Sequence, residues 1–287
     1  MKNLLISLLI LIACSNQSQA QTEEISDLRS MSHLLSDRPV SSSLEIHLGS
    51  ASVRNSYLAP LLYTGKDLGI SYERQRDWRY SPWMSLQRLD GQFTMGEDRG
   101  THSENWSGRF RYRYAAHCQW RDLVDNLTVM AGPYLGAEIG FDYNLKTAAG
   151  NNPATARAAV NTGLSLMGSY SYELFHRHSI VSLQLQAPLL GYALMPEYGA
   201  SYFETFYLGN TQHLHHFTSL HNQQDLDLRL TTDIPMFPHR GGALRIGLAW
   251  HIETMDINQT INRFSSLEAV VGWSFQCIPM KTVNYKR

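Results

Sequence analysis

The sequence predicts an all-β fold: a single closed antiparallel transmembrane β-barrel of about ten strands, with twelve as the alternative, behind a cleaved signal peptide. Three observations carry that expectation. Apolar and polar residues alternate over long segments, aromatic residues gather at the ends of the apolar faces, and the segments outrun ordinary globular strands. A helix would scramble such an alternation, because its period is 3.6 and not 2.

Taken in chain order, residues 1–20 read as an export signal. Lys2 supplies the positive charge, Leu4 to Ala13 is apolar apart from Ser7, and Ser18-Gln19-Ala20 is a small-x-small cleavage site. Leu11-Ile12-Ala13-Cys14 also fits a lipobox, in which Cys14 would be lipidated; both sites leave essentially the same mature chain. Residues 21–43 are expected to form an N-terminal periplasmic segment, 44–276 the barrel with a long loop at 188–222, and 277–287 a tail.

The alternation is clearest from Leu127, where Leu127, Val129, Ala131, Leu135, Ile139, Phe141 and Tyr143 share one face. Thr128, Gly132, Gly136, Glu138, Gly140 and Asp142 share the other. Trp106, Phe110, Tyr112 and Tyr114 likewise oppose Ser107, Arg109, Arg111 and Arg113. The pattern recurs over 160–174, 181–187, 225–230, 244–253 and 267–276, and more weakly near Leu44 to Ser50, Leu68 to Gln75 and Trp83 to Met95. The gaps tend to alternate long (51–67, 144–156, 188–222) and short (78–81, 176–177, 236–241). With the N-terminus periplasmic, the long ones fall mostly outside, as in outer-membrane barrels; the short 258–262 connection is the exception.

Composition agrees with a barrel wall: Tyr 15, Trp 6, Phe 10, Gly 20, only 17% charged residues and a mean hydropathy of -0.28, as expected where strands bury alternate residues in lipid. A formal net charge of -1 argues against a nucleic-acid partner, which needs a basic field. After the signal no stretch is long and apolar enough for a helical span. Cys118 and Cys277 read as free residues at strand ends. The competing fold is a secreted soluble β-sandwich, with the polar face in water and the apolar face in a shared core.

Two groups of residues stand out. Arg109, Arg111, Arg113, Arg229 and Arg245 would share the lumen with Glu138, Asp142, Glu173, Asp225, Asp227 and Glu253. So narrow a barrel can be filled by side chains, so these charges read as a self-paired plug, with a narrow ion path or an anion site as the functional alternative. Arg111 is expected to face Glu138 or Asp142. The second group is the 188–222 segment. Tyr202, Phe203, Phe206 and Tyr207 suit a short amphipathic helix or cap, and His213, His215, His216, Ser219 and His221 follow. Ser219 with His221 or His216 is the weak catalytic candidate, as nucleophile and base. The histidines lack a diagnostic metal spacing, so no metal and no cofactor is expected.

Residues 46 to 275 resemble an uncharacterised family of Gram-negative outer-membrane β-barrels that carries a domain-of-unknown-function label. The likeness lies in Gly49 through Tyr63, in Pro196-Glu197-Tyr198-Gly199-x-Ser201-Tyr202, and in Leu208-Gly209-Asn210 leading into His216 through Gln223. It implies an outer-membrane location and no particular reaction. A weaker likeness is to the outer-membrane phospholipase, whose histidine stands two residues before its nucleophile; here His216-Phe217-Thr218 has the wrong residue and Ser219-Leu220-His221 the wrong order. The strand Ser266 to Phe275 resembles the terminal strand read by the barrel-insertion machinery. The expected partners are therefore that machinery and outer-membrane lipid, with any small-molecule ligand unknown. The expected role is structural, binding or narrow transport, with lipid hydrolysis as the rival.

Overall fold

The computed structural model describes residues 40–78, 81–145, 153–174, 177–197, 199, 207–209, 213–236 and 242–277. The expected signal at 1–20, both expected processing sites, residues 21–39 and the residues after Cys277 lie outside these. The strands are β1 (Val40–Asn55), β2 (Ala59–Asp77), β3 (Trp83–Glu97), β4 (Glu104–Val124), β5 (Leu127–Asn144), β6 (Ala154–Leu174), β7 (Arg177–Leu194), β8 (His215–Ser219), β9 (Gln223–Pro235), β10 (Gly242–Ile257) and β11 (Thr260–Cys277). Each pairs antiparallel with its neighbours in space. β1 closes on β11 without a break from Val40↔Cys277 to Asn55↔Asn262, so the wall has no open seam there.

Ten strands make the barrel wall, and β8 prolongs the line of β9. β7 pairs with β9 from Ile180↔Asp233 to Gln186↔Asp227, and then with β8 from Leu190↔Ser219 to Leu194↔His215. Residues 220–222 bulge out between β8 and β9. On the opposite edge of β7 the register slips between Thr162 and Gly163 of β6, leaving Leu189 unpaired. A bulge next to Pro188, which has no N–H to give, is where a ladder can break at least cost.

Along the middle of the wall the exposed residues are Leu44, Ile46, Leu48, Leu68, Ile70, Phe110, Ile139, Leu164, Leu248 and Val271. The residues between them are buried and mostly polar. That arrangement is a transmembrane barrel, not a sandwich: a sandwich would bury the apolar faces and wet the charged ones.

Three boundaries differ from expectation. β1 starts at Val40, so residues 40–43 belong to the wall. The gap expected at 51–67 is mostly strand, since β1 runs to Asn55 and β2 begins at Ala59. There the outward residues are Ser50, Ser52 and Lys66, while Ala51, Val53 and Tyr63 are buried, so the polarity of the two faces inverts within one strand. Finally, Pro188 to Leu194 stay in β7 and His215 to Ser219 form β8, which confines the long connection to 195–214. Cys118, read from the sequence as free, is disulfide-bonded.

Tight turns fall where the backbone can turn left-handed. Asn258 (φ 55) and Gln259 (φ 59) form the two-residue connection from β10 to β11, and Asn126 (φ 65) that from β4 to β5. Two successive positive φ angles match the twist of a two-residue hairpin.

Candidate functional site

Period-two alternation sends one face of every wall strand into the lumen, and the charged residues there meet in three clusters. Arg229 and Arg245 bind Glu45 and Glu73: Arg245 Nη1 lies 2.9 Å from Glu45 Oε1 and 3.0 Å from Glu73 Oε1, and Arg229 contacts Glu45. Arg245 also forks onto Asp233 through two bonds of 2.7 Å. Asp227 is the centre of the second cluster. It accepts from Arg88 Nη2 at 2.8 Å and from Arg113 Nη1 at 2.7 Å, with Arg111 Nη1 at 3.8 Å. In the third, Glu253 holds Arg109 at 2.6 Å and Arg157 at 2.7 Å, and Arg157 reaches on to Glu138 at 2.8 Å. The Arg109 guanidinium also lies over the Phe264 ring, 3.5 Å from its centroid.

A neutral and acidic network adjoins these clusters. Gln92 Nε2 donates to Asp67 and Glu268 at 2.6 Å each, Thr94 Oγ1 donates to Asp67 at 2.5 Å, and His47 Nδ1 lies 2.8 Å from Glu268. Apolar clusters flank the charges toward both ends. Met84, Leu86, Ala115, Met130, Tyr134 and Met167 lie on the side of the β2–β3 connection. Ala51, Val53 and Phe264, with Ala159, Ala193, Met195, Met255 and Ile257, lie on the other side. Among the described residues, a cavity amid the charges, beside Arg111, Asp227 and His251, measures about 20 Å³. That is room for about one water molecule.

Most of the sequence-predicted lumen residues come together here: Arg109, Arg111, Arg113, Glu138, Asp142, Asp225, Asp227 and Arg229 all point inward, as do Arg245 and Glu253. Glu173 does not join them. It has inward parity, but it lies at the end of β6, opposite His178, and is exposed. Arg111 also departs from expectation. Although it pairs with Glu138 along the β4–β5 ladder, its side chain leans to Gln92 and Asp227, while Glu138 is taken by Arg157 and Asp142 by Asn55. Long side chains lean along the strand, so ladder partners need not be contact partners.

Sequence reasoning missed Glu45, Glu73, Arg88, Asp90, Arg157 and Glu268 as members of the network. The signal was present in part. Leu44, Ile46 and Leu48 outside imply Glu45 and His47 inside, and Leu68, Ile70 and Tyr72 imply Glu73.

The rim candidates divide differently. Ser219 Oγ lies 2.5 Å from His221 Nδ1 at the bulge between β8 and β9. Asn222 ties the same turn, accepting from the Ser219 N–H at 2.8 Å and donating to the Phe217 carbonyl at 3.0 Å. His216 is not part of this pair; its Nε2 lies 2.8 Å from the His213 carbonyl. His215 Nδ1 lies 2.7 Å from the Tyr192 hydroxyl. Of the four aromatic residues proposed as a cap, Tyr207 is exposed, and Tyr202, Phe203 and Phe206 lie outside the described residues. Among the described residues no group of three or more His, Cys, Asp or Glu is placed to hold a metal ion.

The sequence matches, over residues 4–282, the family described as "Protein of unknown function (DUF3316)". The chain belongs to this family. It is an outer-membrane β-barrel protein, with an apolar belt outside and a polar lumen. No curated protein matches the sequence. Among solved structures, the outer membrane protease OmpT from Escherichia coli is similar at 8% identity and TM-score 0.46, covering 83% of this chain and 97% of that one. The translocator domain of the autotransporter NalP from Neisseria meningitidis is similar at 7% identity and TM-score 0.39, covering 91% and 97%. The β domain of the Bordetella autotransporter BrkA is similar at 13% identity and TM-score 0.39, covering 82% and 99%.

Proposed function

We propose that this member of the DUF3316 family is a closed, non-conducting barrel that acts by binding at its surface, not by passing solutes through its lumen. The observation behind this reading is how densely the described residues pack the charged middle of the interior: seven arginines (Arg88, Arg109, Arg111, Arg113, Arg157, Arg229 and Arg245) interleave with carboxylates, and the cavity beside Arg111 and Asp227 is about 20 Å³. A hydrated ion would have to break several desolvated pairs to pass, and removing one partner of such a pair costs about 3–5 kcal/mol. Planar-bilayer recordings of the purified protein test the reading. No steady conductance is expected from the wild type, whereas the double variant Arg88→Ala, Asp227→Ala should leak. Regular conductance steps from the wild type would overturn it.

A second reading rests on the Ser219–His221 contact. Ser219 Oγ would attack an ester carbonyl while His221 Nδ1 takes its proton, in a bulge flanked by the exposed apolar side chains of Phe217 and Leu220. His221 would pass that proton to the departing alcohol as the ester C–O bond breaks, and water would then hydrolyse the acyl-Ser219 ester. Against it, the Ser219 N–H is already given to Asn222 and cannot stabilise an oxyanion. Assays on phospholipid and lipid A would favour this reading if activity were lost in both Ser219→Ala and His221→Ala.

A further inference from the structure

Two glycines, Gly91 in β3 and Gly108 in β4, occupy outward positions among large apolar side chains. They leave a groove of about 590 Å³ in the lipid-facing wall, bordered by Ile46, Leu68, Ile70, Phe93, Phe110 and Phe141. That is within the range of about 300–1,000 Å³ typical of sites for small organic ligands. A Cβ added to Gly108 would collide with the Phe141 ring, whereas one on Gly91 would meet only Ile70 Cγ2, at 3.6 Å. Gly108 is therefore covered, and Gly91 is the open floor.

Toward the β1–β2 turn the outward face changes from apolar to cationic. Lys66 stands two residues from Leu68 on the same face, about 7 Å along the strand, and pairs with Ser50 and Met95. Beyond it, Arg54 and Arg263 are direct ladder partners across β1 and β11. Like charges placed opposite each other destabilise a ladder. Among the described residues none of these three cations has an ion-pair partner, and the buried Arg54 Nε has no hydrogen-bond acceptor. The nearest outward acids are Glu97 and Glu104, which pair with each other across β3–β4 with Glu97 bound to His102 at 2.6 Å, and the exposed Asp256 on β10, two residues beyond Thr254, the ladder partner of Arg263. An anion is thus favoured over β11, β1 and β2 and disfavoured beside them.

We propose that this face seats one phosphate-bearing lipid, with an acyl chain in the groove floored by Gly91 and a phosphate on Lys66, Arg54 and Arg263. With the N-terminus periplasmic, the seat lies in the outer leaflet, and its occupant is a phosphorylated, multiply acylated glycolipid of the lipid A class. Apolar burial holds the chain, and the unpaired cations select the phosphate. The seat deepens the surface-binding reading above, but it stands independently of whether the lumen conducts.

The test uses the full chain in phosphatidylcholine nanodiscs doped with lipid A or with its dephosphorylated form. Native mass spectrometry counts retained glycolipid, and heat-modifiable migration reports folding. The wild type should retain lipid A in preference to the dephosphorylated form. Gly91→Leu, which fills the groove, should lose retention of both. Lys66→Gln should keep the chain but weaken the phosphate preference by about fivefold, the effect of one cation at an anionic surface. Lys66→Glu alters only an exposed residue and keeps the test decisive should Gly91→Leu fail to fold. Equal retention in Lys66→Glu and wild type, or no phosphate preference in the wild type, would overturn the proposal. So would a wild-type dimer that Gly91→Leu abolishes, since the groove would then belong to a second copy of this chain.

Discussion

In the middle of β1, Leu44, Ile46 and Leu48 face out while Glu45 and His47 face in; a few residues on, Ser50, Ser52 and Arg54 face out while Ala51 and Val53 face in. The other end repeats the inversion. Arg74 and Arg76 are exposed on β2, and Met84 and Leu86 are buried inside β3. One strand therefore serves two solvents. Where hydrocarbon lies outside, the wall must be apolar and the polar side chains turn inward, where each needs a partner. Where water lies outside, the strand behaves like an ordinary one, with polar residues out and a small apolar core within. The belt carries its charges in a paired interior, and the ends close that interior with methionine, leucine and phenylalanine. A charge is thus costly outside the belt but cheap outside the ends, and a lost ion pair is costly only within the belt.

The largest test of this comparison is Asp227→Ala. It strips Arg88 and Arg113 of a carboxylate inside the belt and should cost about 3–5 kcal/mol, read as a lower urea midpoint for unfolding in detergent. A loss below about 1 kcal/mol would mean that water already reaches these arginines. Next comes the lipid face. Val271, between Ile46 and Ile246 on the neighbouring strands, should tolerate arginine poorly, at about 2–4 kcal/mol and with impaired insertion. Ser52→Arg, on the same wall but beyond the belt, should cost about 0–1 kcal/mol. Similar penalties at the two positions would break the belt-and-end distinction.

The smallest effect concerns the turn after β3, which lies wholly in water. Asp98 accepts from the Thr101 N–H at 2.8 Å, from Thr101 Oγ1 at 2.8 Å and from the Gly100 N–H at 3.1 Å. These bonds, the Thr101 N–H foremost, hold its carboxyl below the ordinary range although it is fully exposed. Because the folded value is depressed, the stabilisation is complete above the unfolded value of about 3.9 and fades as pH falls through the lower folded value. The Thr101 amide shift in NMR should therefore titrate below about pH 3.9, and Asp98→Asn should abolish the titration. A midpoint at or above that pH would remove Asp98 from the turn.

Much of the architecture could be read from the chain itself because period two is a local property. Tyr112 and Arg111 point opposite ways in any strand, whatever surrounds it, so the lipid face and most lumen residues followed from alternation alone. The strand ends of 51–67 were hidden for the same reason. An alternation that reverses its polarity averages to nothing unless the depth of the membrane is known, and depth belongs to the assembled barrel. The pairing of charges was equally out of reach. Arg88 of β3 meets Asp227 of β9 across the lumen, and Arg111 passes over its ladder partner Glu138 for Asp227, because these contacts depend on barrel diameter and side-chain lean. The notch at Gly91 shows the same division. A glycine in a strand is visible in the sequence, but a groove exists only when four neighbouring strands place Ile46, Ile70, Phe110 and Phe141 around it, since the register between strands decides which side chains stand side by side.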